Sequence, residues 1–108
     1  MLITTTEAVA GHQVDRVLGQ VFGVTVRSRG FGGNLTAAFR SLAGGEIHEY
    51  TEMLEDARKA AIDRMVANAQ AMGANAVIMM RFDSSELGQS MSEVVAYGTA
   101  VVIHKANA

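Results

Sequence analysis

Three histidines, His12, His48 and His104, are the side chains best suited to hold a metal. Zinc and copper sites are built from clustered histidine, cysteine or carboxylate ligands. His48 stands beside Glu49, and His12 stands three residues before Asp15. Neither pair has the spacing of a complete site, and the chain holds no cysteine. A divalent metal, the one cofactor these residues could take, would need the fold to gather them. Copies of one histidine around a symmetry axis would serve equally. The plain alternative is three solvated surface histidines.

A second set is polar residues on otherwise apolar strands: Arg81, Asp83, Glu93, Tyr97 and Thr99. If the two C-terminal strands pair as a hairpin, Arg81 and Glu93 come near one another, as a structural or inter-subunit salt bridge. The functional alternative is the polar lining of a pocket between subunits, where small ligands often bind. Arg58 could join either arrangement. Catalysis has less support. No nucleophile–base motif is present, and Glu55 and Asp56 fall on the solvent side of a helix. An enzyme acting on a small polar substrate through Arg81, Asp83 and Glu93 is the weakest of the readings. The glycines at 30, 32 and 33 lack the spacing and the lysine-serine/threonine ending of a phosphate loop.

The element that must position these groups is the stretch from Tyr50 to Met72, which holds no glycine or proline. Leu54, Ala57, Ala61, Met65 and Met72 recur at helical spacings, with Ile62, Val66 and Ala69 beside them. A helix of this length spans about 35 Å. Acidic residues crowd its first turns, where the helix dipole favours them. Gly73 fits the position just past its end. The alanines predict a close approach to a sheet, and the methionines fill its irregular gaps.

The remaining segments read as strand and turn. Met1 to Thr6 is a short strand, and Glu7 to Asp15 is a polar loop. Arg16 to Arg29 is a strand of about 46 Å, long enough to bend or to enter a neighbour's sheet. Gly19 and Gly23 within it suggest a bulge or a close backbone approach. Asn34 caps a short helix, Leu35 to Ala43. Ala76 to Ser84 is the third strand; Ala76, Ile78, Met80 and Phe82 face one way, and Val77, Met79, Arg81 and Asp83 the other. Ser84 to Ser90 is a hairpin loop, and Met91 to His104 is the fourth strand. On that last strand Val94, Ala96, Gly98, Ala100 and Val102 form a small-residue face suited to the helix. Val95, Tyr97, Thr99, Val101 and Ile103 form a second face too apolar for water. Another copy of the chain, in a closed symmetric assembly, is the plain partner for it.

Composition sets the bounds. A chain of 108 residues makes a single domain, residues 1–108. A net charge of −2 argues against binding nucleic acid through a basic surface. The N-terminus lacks the pattern of a signal peptide, and no apolar run reaches the length of a membrane span. The expectation is a cytoplasmic protein without nucleic-acid or membrane partners.

Gly44-Gly45-Glu46, Tyr50-Thr51, Ala57-Arg58, Gly73-Ala74-Asn75-Ala76-Val77, Arg81-Phe82-Asp83 and Ala96-Tyr97-Gly98-Thr99-Ala100-Val101 together resemble the YbjQ-like family. These are small bacterial and archaeal proteins, often labelled heavy-metal-binding. The resemblance runs from Ile3 to about Ile103. It implies an α+β domain whose members assemble as homopentameric rings, with the long helix packed on the sheet. It implies no known activity and no catalytic residue set.

The fold expected is therefore α+β: an antiparallel or mixed sheet of about four strands on one long helix plus a short helix, in a homo-oligomeric ring. The leading functional reading is a binding or scaffold module, a pentamer by resemblance, with any small-molecule ligand between subunits. A metal-binding protein using histidine and carboxylate ligands is the alternative.

Overall fold

The glycine-free stretch forms the helix that its periodicity predicts, α1, His48–Ala71. In the computed structural model the described residues are 1–28, 48–88 and 91–107, with Glu49 described by its backbone only. The expected short helix at 35–43, its Asn34 cap and the glycine turn before it lie outside these residues. Helix α1 ends as Gly73 requires. Gly73 adopts φ 90°; its N–H donates to Gln70 O at 3.0 Å, and the Ala74 N–H donates to Ala69 O at 3.0 Å. This reciprocal pair satisfies carbonyls that the last turn would otherwise leave open.

The buried face of α1 is narrower than the full apolar pattern. Ala57, Ala61, Met65 and Ala69, spaced by four, are at most 1% exposed. Leu54 and Ile62 are half-buried, and Met72 is largely exposed. Small side chains let the helix backbone lie directly on the sheet. At Gly23 a Cβ would sit 2.3 Å from both Ala61 O and Met65 N. The glycine in mid-strand thus marks the seat of the helix.

Among the described residues the strands are β1 (Leu2–Ile3), β2 (His12–Ser28), β3 (Ala76–Leu87) and β4 (Met91–Lys105). They form a mixed sheet in the order β1-β3-β4-β2. β1 runs parallel to β3, and the other pairs are antiparallel. The first strand is shorter than expected. β2 begins earlier, taking in His12 to Asp15, which the sequence places in a loop. β3 runs on to Leu87, so the hairpin connection is shorter than Ser84–Ser90. Seventeen residues of β2 span about 56 Å at strand rise, which matches the 58 Å long axis of the molecule.

Register shifts on β2 and β3 reset the faces. On β2 the register shifts between Val17 and Gly19, so Val17 leaves the face of Val21 and becomes 67% exposed. On β3 the register shifts between Ile78 and Arg81, with Met79 at φ 56°. Strict alternation therefore fails. Val77, Met80 and Phe82 pack toward the helix, while Ala76 and Ile78 belong to the opposite cluster. Both N–H groups of the bulge are used: Met79 donates to Thr6 O at 3.1 Å, and Met80 to Thr4 O at 2.9 Å. Opposite the bulge, a Cβ on Gly98 would lie 2.7 Å from Val77 Cγ1.

The helix covers one face of the sheet, burying Val21, Val94, Ala96 and Ala100. Part of the other face is covered from within the chain. Val9 packs on Ala76, Ile78, Val101 and Ile103, and Val101 is fully buried. The apolar second face thus needs no partner at Val101. At the same end, Asn75 stands in for a strand residue: its Nδ2 donates to Ile103 O, and its Oδ1 accepts from the Ile103 N–H, both at 2.8 Å.

Candidate functional site

The uncovered part of the second face collects most of the polar strand residues. Register places them on successive rungs across β2, β4 and β3: Gln20–Thr99–Ile78, Phe22–Tyr97–Arg81, Val24–Val95–Asp83 and Val26–Glu93–Ser85. Arg81, Asp83, Glu93, Tyr97 and Thr99 therefore share one face. Beside them lie large apolar side chains in contact with solvent: Phe22 is 52% exposed, Val26 47% and Tyr97 43%. Phe22 was legible only as a member of an alternating strand. Its pairing with Tyr97 needs the register, which no sequence period supplies.

Arg81 and Glu93 do not meet. Their rungs are four residues apart on β3, about 13 Å along the strand. Arg81 Nη1 donates instead to Thr5 O and Met80 O, each at 2.9 Å. This clamps the N-terminal segment over the bulge. Glu93 Oε2 accepts from Ser85 Oγ at 3.1 Å across the hairpin.

Arg58 stands apart from Arg81, Asp83, Tyr97 and Thr99, but it lines one cleft with Glu93. It rises from α1 on the other side of the sheet, with its guanidinium carbon 5.2 Å from the Phe82 ring centroid. There it borders a cleft of about 350 Å³ between the first turns of α1 and the far ends of β3 and β4. Tyr50, Leu54, Ser84, Ser85, Ser92 and Val94 line the cleft with it, together with the carboxylates Glu86 and Glu93. The serines carry no sequence signal of their own, since isolated serines near a hairpin read as turn residues.

The histidines are divided. His48 opens α1, whereas His12 and His104 lie at the opposite end, pairing with Lys105 and Gln13 on β2 and β4. His12 Nδ1 donates to Ala10 O at 3.0 Å. His104 Nδ1 is 2.5 Å from Asp15 Oδ1, so the carboxylate beside the strand bulge pairs with His104 rather than His12. Among the described residues no three histidine, cysteine or acidic side chains converge as a metal site. No described helix is long and apolar enough to cross a membrane.

Comparison with known proteins agrees with this architecture. The YbjQ family model, described as "putative heavy-metal-binding", matches residues 1–104. A UPF0145 protein of Bradyrhizobium sp. (strain ORS 278) is 65% identical over 106 residues, covering 98% of this chain and 96% of that protein. A UPF0145 protein of the archaeon Sulfurisphaera tokodaii is 59% identical over 105 residues, covering 97% and 92%. A crystal structure of a protein of unknown function from Pediococcus pentosaceus, of the DUF74 family, matches with TM-score 0.64 at 19% identity. That match covers 96% of this chain and 98% of the other, and it carries the fold alone.

Proposed function

The chain belongs to the YbjQ-like family, and from that premise we propose that it is a homo-oligomeric binding module whose open sheet face is buried against another copy. The carrying observation is the ladder on that face, where Phe22 and Tyr97 stand exposed on one rung and Val26 on the next but one. The shape supports the same reading. The radius of gyration is 17.7 Å, against about 13 Å for a compact domain of this length. A slab 15 Å thick leaves much of its apolar surface without a second layer. A closed ring, a pentamer by family resemblance, supplies that layer. Arg81, Asp83, Glu93, Tyr97 and Thr99 then become the polar part of a contact or small-ligand pocket between copies. The module works in the cytoplasm with itself as partner, rather than with nucleic acid or membrane.

Native mass spectrometry of the untagged protein tests this directly. Tyr97→Glu places a charge in the centre of the ladder and is expected to convert the assembly to folded monomer. An unchanged assembly would overturn the reading, as would a monomeric parent protein.

A second reading rests on the histidines. Both His12 and His104 give their Nδ1–H to an oxygen, an arrangement that orients the remaining ring nitrogen for a metal. Copies brought together could complete a divalent-metal site that one chain lacks. Metal titration in the same instrument decides it: replacing His12, His48 and His104 together must abolish stoichiometric uptake. Undiminished uptake excludes a histidine site.

A further inference from the structure

We infer that residues 4–9 form a releasable strap that sets how far the apolar sheet face is open to a second copy of the chain. The inference rests on the proposed role of that face in association and adds its regulation. The apolar face does not stop where the open ladder stops. Further along the same face lie the rungs Val17–Val101–Ala76 and Val14–Ile103. Val17 is 67% exposed and Val14 40%, whereas Ala76, Ile78, Val101 and Ile103 are at most 9% exposed, with Val9 packed on them. Apolar residues thus run across β2, β4 and β3 at this end too, and the strap covers only the β4 and β3 side.

The strap is held lightly. Thr5, Thr6, Glu7 and Ala8 are exposed, and Thr4 and Val9 are half-buried. Two of its hydroxyls bond within it: Thr4 Oγ1 donates to Thr6 O at 3.1 Å, and Thr6 Oγ1 to Ala8 O at 2.7 Å. Its hold on the sheet is the Thr4 N–H on Val77 O, the bonds its carbonyls accept from Met79 N–H, Met80 N–H and Arg81 Nη1, and the Val9 contact. One of these bonds carries strain. Met79 gives its N–H to Thr6 O at φ 56°, a conformation disfavoured for a residue with a Cβ. Gly11, at φ +75° with nothing within 4 Å of its would-be Cβ, provides a hinge. A segment with so few buried apolar contacts opens locally, short of global unfolding. Release lets Met79 relax and uncovers Ala76, Ile78, Val101 and Ile103 beside Val14 and Val17. A second copy then meets an apolar face that runs from Val26 to Val14 instead of one that ends at the Met79 bulge. The closed strap is an autoinhibitory contact on association.

Hydrogen exchange followed by nuclear magnetic resonance in the intact protein tests the strap, because the Met79 and Met80 amides have strap carbonyls as their acceptors. Their protection is expected to be at least about a hundredfold lower than that of the Ala100 and Val101 amides on the central strand. Val9→Ala, which trims the half-buried contact, should lower it by about a further five- to tenfold while Ala100 and Val101 hold their values. Met79→Gly, which removes the strain of the closed state, should raise it. Native mass spectrometry over a dilution series reads the coupling. Val9→Ala should lower the concentration at which the assembly dissociates by about the same five- to tenfold, and Met79→Gly should raise it. Met79 and Met80 amides as protected as Ala100 would overturn the strap, whatever the assembly does. An opening strap with dissociation unchanged in Val9→Ala would overturn its control of association. A monomeric parent, or an assembly indifferent to Tyr97→Glu, would instead overturn the reading of the open face and the coupling with it, while exchange at Met79 and Met80 still decides whether the strap opens.

Discussion

Gly23→Ala is the sharpest probe of how this fold is put together. The added methyl carbon would stand 2.3 Å from Ala61 O and Met65 N, and 2.9 Å from Arg64 Cβ. Two of those atoms are helix backbone, so no rotamer change relieves the clash. Restoring ordinary contact near 3.5 Å means lifting α1 by about 1 Å. A gap of that size under Ala57, Ala61, Met65 and Ala69 forfeits a quarter to a half of their dispersion contacts. Overpacking of this kind costs about 1–3 kcal/mol, and the rigid obstacle points to the upper end. Restricting the unfolded chain returns about 0.5–1 kcal/mol. The net expected loss is about 2 kcal/mol, a fall in Tm of about 10 °C for a domain of this size. Differential scanning calorimetry at matched protein concentration, with Gly11→Ala as the comparison, measures it. Gly11 has nothing within 4 Å of its would-be Cβ and carries only the strain of φ +75°, about 1 kcal/mol. A Gly23→Ala protein as stable as the parent would refute the direct seating of helix on strand.

Other residues make separable predictions. Asn75→Ala removes both hydrogen bonds to Ile103 and should cost about 2 kcal/mol, read by chemical denaturation; a loss below a few tenths would show that water replaces them freely. Met79→Gly relieves a side chain held at φ 56° and should leave stability unchanged or raise it by about 1 kcal/mol; a clear fall in denaturation midpoint would mean that Met79 packs in a way its exposure hides. Val101→Asp buries an unpaired charge in the chain's own core and should cost about 4 kcal/mol or more, seen as loss of folded protein by circular dichroism. A folded Val101→Asp that merely dissociates would mean that Val101 belongs to an interface instead.

The helix was the most legible element, because a long run without glycine or proline, closed by Gly73, leaves the backbone little choice. The sheet was legible in its strands but not in its phase. A period of two carries the correct face only until the first bulge, and β2 contains two register shifts and β3 one. Met79 gives no warning, since a methionine at positive φ is unfavourable and is held there by the Thr4 and Thr6 carbonyls. That single extra residue moved Met80 and Phe82 onto the face of Val77. It also put Arg81 on the face of Glu93, but Glu93 pairs with Ser85, four residues further along β3, so the expected ion pair between them is out of reach. The histidine pairing failed for a related reason: Asp15 sits in a second irregularity of β2, beside His104 rather than on the strand position its number suggests.

The Met79 bulge also explains why the open ladder is bounded where it is. The N-terminal segment follows the edge of β3 only as far as the Met79 bulge, where Arg81 fixes Thr5. Up to that rung, Val9 shields Ala76, Ile78, Val101 and Ile103 from water. Beyond it, β3 has no neighbouring strand among the described residues, and the face carries Phe22, Tyr97 and Val26 uncovered. On the other edge, Arg64 and Asn68 occupy the outward carbonyls of Val24 and Phe22 at 2.6 and 2.8 Å. This is a common defence against unplanned strand addition. One edge of the sheet is thus partly capped by its own helix, while the far half of the other is uncapped among the described residues. The two edges are therefore unlike: β2 is protected by the helix, and the outer part of β3 has no neighbouring strand among the described residues. For the proposed assembly, that asymmetry favours a head-to-tail contact, which closes as a ring when its rotation divides the circle.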